Sequence, residues 1–317
     1  MKPPEIYLSR EAQRLGTDRE LRRRAERGEL KRLLPGAYVS SDEWLSMSER
    51  EQYITKVQAA ARISSPDSQF SHDSAAALWG LPVLGRWPSR VHQLTERSTG
   101  GTSRVSIARH GLGVDPAPQL IDGVVVTSLT RTLIDLAASR QFAAGVVTVD
   151  AGLRTPEPGD TRHSLDVPTP SRDEMLSALE ALMPYPCAAR AKKVIRFSSP
   201  LSGSVAESLA RVQFHALGIP APELQVPFYD EEGLIGAVDF YWPELDLIGE
   251  VDGRVKYGAN RRYRLDVSAE SVLWEEKERE DRLRRVVASL MRLDWKKITN
   301  RAALRAYLAS FGLHPGR

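Results

Sequence analysis

Three acidic residues in the last third of this 317-residue chain have the type and spacing to do chemistry together: Asp239, Glu250 and Asp252. Each sits in a run that otherwise reads as strand, Val238-Asp239-Phe240 and Glu250-Val251-Asp252-Gly253. Acids rarely interrupt apolar strand residues unless something compensates their burial. Carboxylates a few ångströms apart repel one another, and a divalent cation removes that cost. Oxygen-only donors suit Mg2+ or Mn2+. An ion so held activates water and steadies the charge that develops when a phosphodiester is cleaved. The plainer alternative pairs the same acids with Arg254, Lys256 or Lys277.

The elements around these acids must bring them to one patch. Ser204 is placed to cap a helix over 205–218, with Val205, Leu209, Val212 and Ala216 on one face and Glu207 off it. Three extended runs follow, near 223–229, 234–244 and 245–253. Side chains alternate along a strand, so Glu250 and Asp252 point the same way. A hairpin about Pro243-Glu244 then sets Asp239 near the level of Ile248 to Glu250. A helix over about 270–285 is acidic in its first half and basic in its second, which complements the helix dipole. A strand over 286–293 follows, and a closing helix over 301–311 turns Leu304, Leu308 and Phe311 inward.

A second group of residues suggests contact with a polyanion. Between Arg19 and Arg32 lie seven basic and three acidic residues, and between Arg254 and Arg301 fourteen basic and eight acidic. Two basic zones on a chain whose net charge is only +3 point to nucleic acid at both. In the first zone a helix over 18–27 buries Leu21 and Ala25, with Leu30 past Gly28 on the same side, leaves Arg19, Arg22, Arg23 and Arg27 outward, and stops at Gly28. Two short extended runs around Pro35-Gly36 then have the form of a wing. A helix entering the major groove needs long basic side chains, and a wing beside it needs Lys or Arg to reach phosphates. In the second zone Arg261, Arg262 and Arg264 are candidates to hold a phosphate backbone.

The middle of the chain carries less. His72-Asp73-Ser74 invites a triad reading, but neighbours on a helix diverge by about 100°. Asp73 and Ser74 read better as caps of the apolar helix that follows. Residues 127–138 have helical period, and Arg131 and Asp135, four apart, are placed to pair on its surface.

These runs resemble known families. Thr17-Asp18-Arg19-Glu20-Leu21-Arg22-Arg23, Arg27-Gly28-Glu29-Leu30, Leu33, Gly36, Tyr38 and Val39 look like the N-terminal winged helix of AbiEi-type antitoxins and their actinobacterial relatives, over about fifty residues. Residues 71–83 and 125–137 fit such relatives too. The resemblance implies operator DNA bound through Arg19, Arg22, Arg23, Arg24, Lys31 and Arg32, a role as transcriptional regulator, and a cognate toxin as partner. Glu207-Ser208-Leu209, Val238-Asp239-Phe240, Glu250-Val251-Asp252-Gly253 and residues 277–283 resemble the PD-(D/E)XK nuclease fold, in the branch of very-short-patch-repair endonucleases. That resemblance covers about 95 residues. It implies a catalytic set of Glu207, Asp239, Glu250, Asp252 and Lys256, with Asp239 the principal metal ligand. The family's lysine two residues after the second acid is replaced by Asp252, and Lys256, Tyr257 and Lys277 are the nearest substitutes.

Composition sets the frame. At 42% hydrophobic and 27% charged residues, the chain is neither disordered nor fibrous. No apolar run approaches the roughly 18–20 residues of a bilayer span, and the start lacks a signal-peptide core. Cys187 is the sole cysteine, so neither an internal disulfide nor a thiolate metal site can form. A cytoplasmic α/β protein, α+β overall, is expected. Its parts are a winged helix-turn-helix over 1–62, a mixed α+β region over 63–153, a linker and connecting helix over 154–202, and a three-layer nuclease-like domain over 203–317. The expected function is DNA binding with metal-dependent endonuclease chemistry, or regulation by a nuclease fold without catalysis.

Overall fold

The computed structural model describes residues 4–97, 105–252 and 269–316. The chain is a mixed α/β protein that divides into two compact units, Met1–Ser198 and Ser199–Arg317. Among the described residues no helix is long and apolar enough to cross a membrane.

The first unit opens with β1 (Tyr7–Leu8), α1 (Ser9–Arg14) and α2 (Asp18–Glu26), then β2 (Leu30–Leu34) and β3 (Ala37–Ser40). The three strands form one antiparallel sheet in the order β1-β3-β2. The hairpin turns at Pro35-Gly36, where Gly36 takes φ +83°, a conformation that a side chain would strain. Ala12, Leu21 and Leu30 bury one face of this block against Tyr7, Ala25 and Tyr38.

Next come α3 (Ser41–Ser46) and α4 (Glu49–Ile63), the latter started by a reciprocal capping box between Ser48 and Glu51. α5 (His72–Trp79) is buried along its whole length. β4 (Val91–Leu94) runs parallel to β5 (Ile107–His110), and β6 (Gln119–Ile121) pairs with β7 (Val124–Val126). Phe70 bridges to both Gln93 and Val126. α6 (Leu129–Ser139) and α7 (Phe142–Leu153) follow, then α8 (Thr161–Ser164), α9 (Arg172–Ala181) and α10 (Ala188–Phe197).

Two expectations change here. Residues 154–202 are more than a linker. Met175, Leu179, Ala191, Val194 and Ile195 are fully buried, with α9 and α10 packed on α6, so the boundary falls at Ser198. Arg131 and Asp135 do pair, at 2.8 Å, but inside the protein rather than on its surface. Residues from Arg131 to Ala138 are all buried, because α6 is packed on several sides at once.

The second unit begins with α11 (Val205–Leu217), whose Ser204 cap accepts from the Glu207 amide at 3.2 Å. β8 (Glu223–Asp230), β9 (Gly233–Trp242) and β10 (Leu247–Val251) form an antiparallel meander, with a 3-10 turn at Pro243–Leu245. α12 (Ala269–Val286) leads to β11 (Ser289–Leu293), which lies parallel to β10 and completes a sheet ordered β11-β10-β9-β8. α13 (Trp295–Thr299) and α14 (Arg301–Ala309) end the unit. Helices cover both faces. Leu283 and Val287 pack with Ile235, Val238 and Ile248, and Phe214 of α11 meets Phe240 and Trp242 edge-on. Val286 closes the helix and does not begin the strand, Ala216 is exposed, and Phe311 is only half-buried.

Candidate functional site

Strand register decides which acids meet. Leu247 pairs with Trp242, Ile248 with Tyr241 and Gly249 with Phe240, so the next step sets Glu250 across from Asp239. The ladder gives way there. The Asp239 carboxylate itself accepts the Val251 amide at 2.8 Å, in place of a backbone carbonyl. Gln225 of β8 donates to Asp239 at 3.2 Å and more weakly to Glu207 at 3.4 Å, so one amide joins the acids of α11 and β9. Glu207, 8% exposed, also accepts from the Gly203 amide at 2.7 Å. Burial first, and then the nearby Glu250 charge, push the Asp239 carboxyl above its usual range, against the pull of Val251 and Gln225.

Glu250 has a strong partner already. Arg279 of α12 holds both its oxygens, at 2.8 and 3.2 Å, and also donates to the Ala237 carbonyl at 2.8 Å. Gly236, with φ +143°, makes room: a Cβ there would lie 3.0 Å from the Arg279 Nε. Arg279→Ala is expected to destabilise the second unit by about 2–3 kcal/mol, less than a fully enclosed pair because Arg279 is part-exposed. Urea denaturation followed by a second-unit tryptophan signal measures it.

The remaining expected residues are placed differently. Asp252 donates its amide to Leu293 at 2.8 Å, and its carboxylate helps raise the Lys297 ammonium after the larger effect of Asp294. Lys277 is exposed. Lys256 and Tyr257, with Gly253, Arg254, Arg261, Arg262 and Arg264, lie outside the described residues. Among the described residues, the one set of three whose ligand atoms all lie within 4.8 Å of one another is not acidic; it is His72, His92 and His110.

Of the six expected DNA contacts, Arg19, Arg22, Arg23, Lys31 and Arg32 are exposed on α2 and β2. Arg22 reaches Asp18 at 3.3 Å yet remains 69% exposed. Arg24 is used internally: its guanidinium lies 5.0 Å from the Tyr7 ring centroid and 3.4 Å from Glu29.

The histidine trio was not anticipated from the sequence, and it sits at the start of α5 and on β4 and β5. His92 Nδ1 is 2.9 Å from His110 Nε2, and the His72 and His110 rings stack at 3.9 Å. Burial lowers all three basicities, that of His92 to about 4, and the neighbouring histidines lower His72 further. Around them lie Asp73, ion-paired with Arg140, and Asp135, paired with Arg131 and accepting from the Tyr185 hydroxyl at 2.5 Å. Asp73 and Ser74 are therefore not caps. Ser74 receives the His92 amide at 2.8 Å and lies 3.0 Å from the Tyr53 hydroxyl, so both residues tie α5 to other elements. Three of the chain's six histidines in one region was the available signal.

No family model matches the chain. Two uncharacterized proteins of Mycobacterium tuberculosis, from strains CDC 1551 and H37Rv, are each similar to it at 26% identity over 134 residues. The matched segment is 42% of this chain and 45% of each relative, so the chain spans less than half the length of the proteins it matches.

Proposed function

We propose that this protein binds double-stranded DNA through a winged helix-turn-helix made by α1, α2 and the β2–β3 hairpin. In this reading the second unit is a nuclease-type fold of the PD-(D/E)XK class, with Asp239 and Glu250 as its metal-binding edge and DNA phosphodiesters as its substrate. The observation that carries it is the register that sets Asp239 level with Glu250 where the ladder gives way, with Glu207 joined through Gln225. The order helix, three antiparallel strands, helix, and a fourth strand parallel to the third supports the same reading. Fit to Mg2+ or Mn2+ rests on Asp239, whose affinity for a proton is raised partly by the adjacent anion. Arg279 now supplies that countercharge, and a cation would take its place on Glu250. The bound ion would polarise the phosphate and activate water.

The Arg279 clamp also favours a second reading. If it is permanent, the fold does not cut, and the chain acts as an AbiEi-like transcriptional regulator or antitoxin whose second unit meets a toxin or other protein partner. Incubation of supercoiled plasmid with the full chain, with and without Mg2+ or Mn2+, separates the two: nicking that needs metal supports the first, and DNA binding without nicking supports the second.

Both readings share the DNA-binding surface, and salt dependence tests it. Each phosphate contact contributes about 0.9 to the slope of log K against log salt. The triple change Arg19→Ala, Arg22→Ala and Arg23→Ala is expected to weaken binding and flatten that slope by about 2–3. Fluorescence anisotropy on a labelled duplex across a salt series measures it, and an unchanged slope would remove α2 from the interface.

A further inference from the structure

We propose that His72, His92 and His110 bind a divalent transition metal of the zinc class, and that this site is distinct from the carboxylates of the second unit. The three imidazoles offer ligand nitrogens all within 4.8 Å of one another. A tetrahedral ion with bonds of about 2.0–2.1 Å needs nitrogens about 3.3 Å apart. That spacing falls between the 2.9 Å of the His92–His110 pair and the outer limit of the trio, and closing the site requires the stacked His72 and His110 rings to turn until their nitrogens converge. The donors come from three separate elements, α5, β4 and β5, so the ion would tie the helix start to the parallel strand pair.

One buried atom points to the same place independently. Asp135 is 0% exposed, yet its Oδ2 meets no hydrogen-bond donor among the described residues and lies 3.6 Å from His72 Nδ1. A carboxylate behind a ring nitrogen is the arrangement that orients a metal-binding histidine and raises its basicity. With Ser71 at 2.9 Å and Asp135 both on the Nδ1 side of His72, Nε2 is the nitrogen left for the ion. His92 and His110 are only half-buried, which gives an entry path and leaves one coordination position for water or a further ligand.

The donor chemistry selects the metal. Neutral imidazoles without thiolates suit Zn2+ and its neighbours, whereas Mg2+ and Ca2+ prefer oxygen. The neighbouring acids are engaged elsewhere, Asp73 by Arg140 and the Oδ1 of Asp135 by Arg131 and Tyr185.

The test uses the full chain carrying Asp239→Ala, which disables the carboxylate edge, stripped with a chelator and titrated with Zn2+ by calorimetry. One equivalent should bind. His92→Gln or His110→Gln in that background should weaken it by about 10–100-fold or more. His163→Gln, at an exposed histidine of α8, should leave it unchanged. Absence of Zn2+ uptake, or equal affinity in His92→Gln, overturns the proposal. Should the glutamine variants fail to fold, Co2+ in the Asp239→Ala protein decides: an intense visible spectrum from a low-coordinate nitrogen site supports the proposal, and the weak spectrum of an octahedral oxygen-bound ion refutes it. The outcome is independent of whether the chain cuts DNA.

Discussion

Arg131→Met is expected to lower the unfolding free energy of the first unit by about 3–5 kcal/mol, the range for stripping one partner from a buried ion pair. Asp135 is fully enclosed, and Arg131 is its only nearby cation at hydrogen-bond distance among the described residues. The guanidinium also donates to the Leu112 and Gly113 carbonyls, each at 3.3 Å, and lies 5.7 Å from the Tyr185 ring centroid. Methionine fills the space but supplies none of this. Burial already pushes the Asp135 carboxyl up despite Arg131 and Tyr185, so in the variant the acid escapes its predicament by taking a proton.

That escape has a pH signature. A carboxyl raised in the folded state binds its proton there before it does in the unfolded chain, so stability falls as pH rises from the unfolded value through the folded one. The Arg131→Met deficit should therefore be greatest near neutrality and shrink in mild acid. Adding Asp135→Asn, which keeps an acceptor for Tyr185 while removing the charge, should recover at least half of the loss. Denaturant midpoints at two pH values measure all of this. A loss under about 1 kcal/mol at neutral pH would mean that Asp135 is folded in its neutral form.

How much of this was legible in the sequence depends on how far apart the partners lie along the chain. The β2–β3 hairpin was readable because its turn, Pro35-Gly36, is local and each strand adjoins it. The Asp239–Glu250 level was readable for the same reason, since counting outward from Pro243 needs only the two-residue period. Arg279 was not readable as the partner of Glu250, because the two are 29 positions apart and Arg279 lies on the crossover helix itself. Lys277 looked equivalent, but two residues on a helix differ by about 200° in direction, and only Arg279 faces the sheet. The histidine trio fails for a stronger reason. β4 and β5 are parallel, so their register is set by a crossover connection and not by a turn, and no local count places His110 beside His92. Arg131 and Asp135 show the remaining limit: spacing gave the pair, while its burial depends on how many elements pack on α6.

Asp239→Asn carries the second large expectation, and it has two parts with opposite signs. If the protein cuts DNA, metal-dependent nicking should fall by about 10²–10³-fold or more, the scale for losing one charged group at a reacting centre. The same change should stabilise the second unit by about 0.5–2 kcal/mol, because burial and the nearby Glu250 charge make this a setting that disfavours a charged Asp239. Asparagine keeps an oxygen for the Val251 amide, its stronger contact at 2.8 Å, and turns its NH2 towards Gln225, whose amide flips to accept and gives up its weaker bond to Glu207. The gain in stability should vanish in acid, where Asp239 is itself protonated, and grow as pH rises through its folded-state value. A stabilising change that abolishes activity is the mark of an acid kept for function at a cost to the fold. Stabilisation in a protein that never nicks DNA would fit a nuclease fold retained without its chemistry. A loss of stability instead would show that the Asp239 carboxylate is needed to tie β9 to β10, and the metal-binding edge would then lose its principal residue.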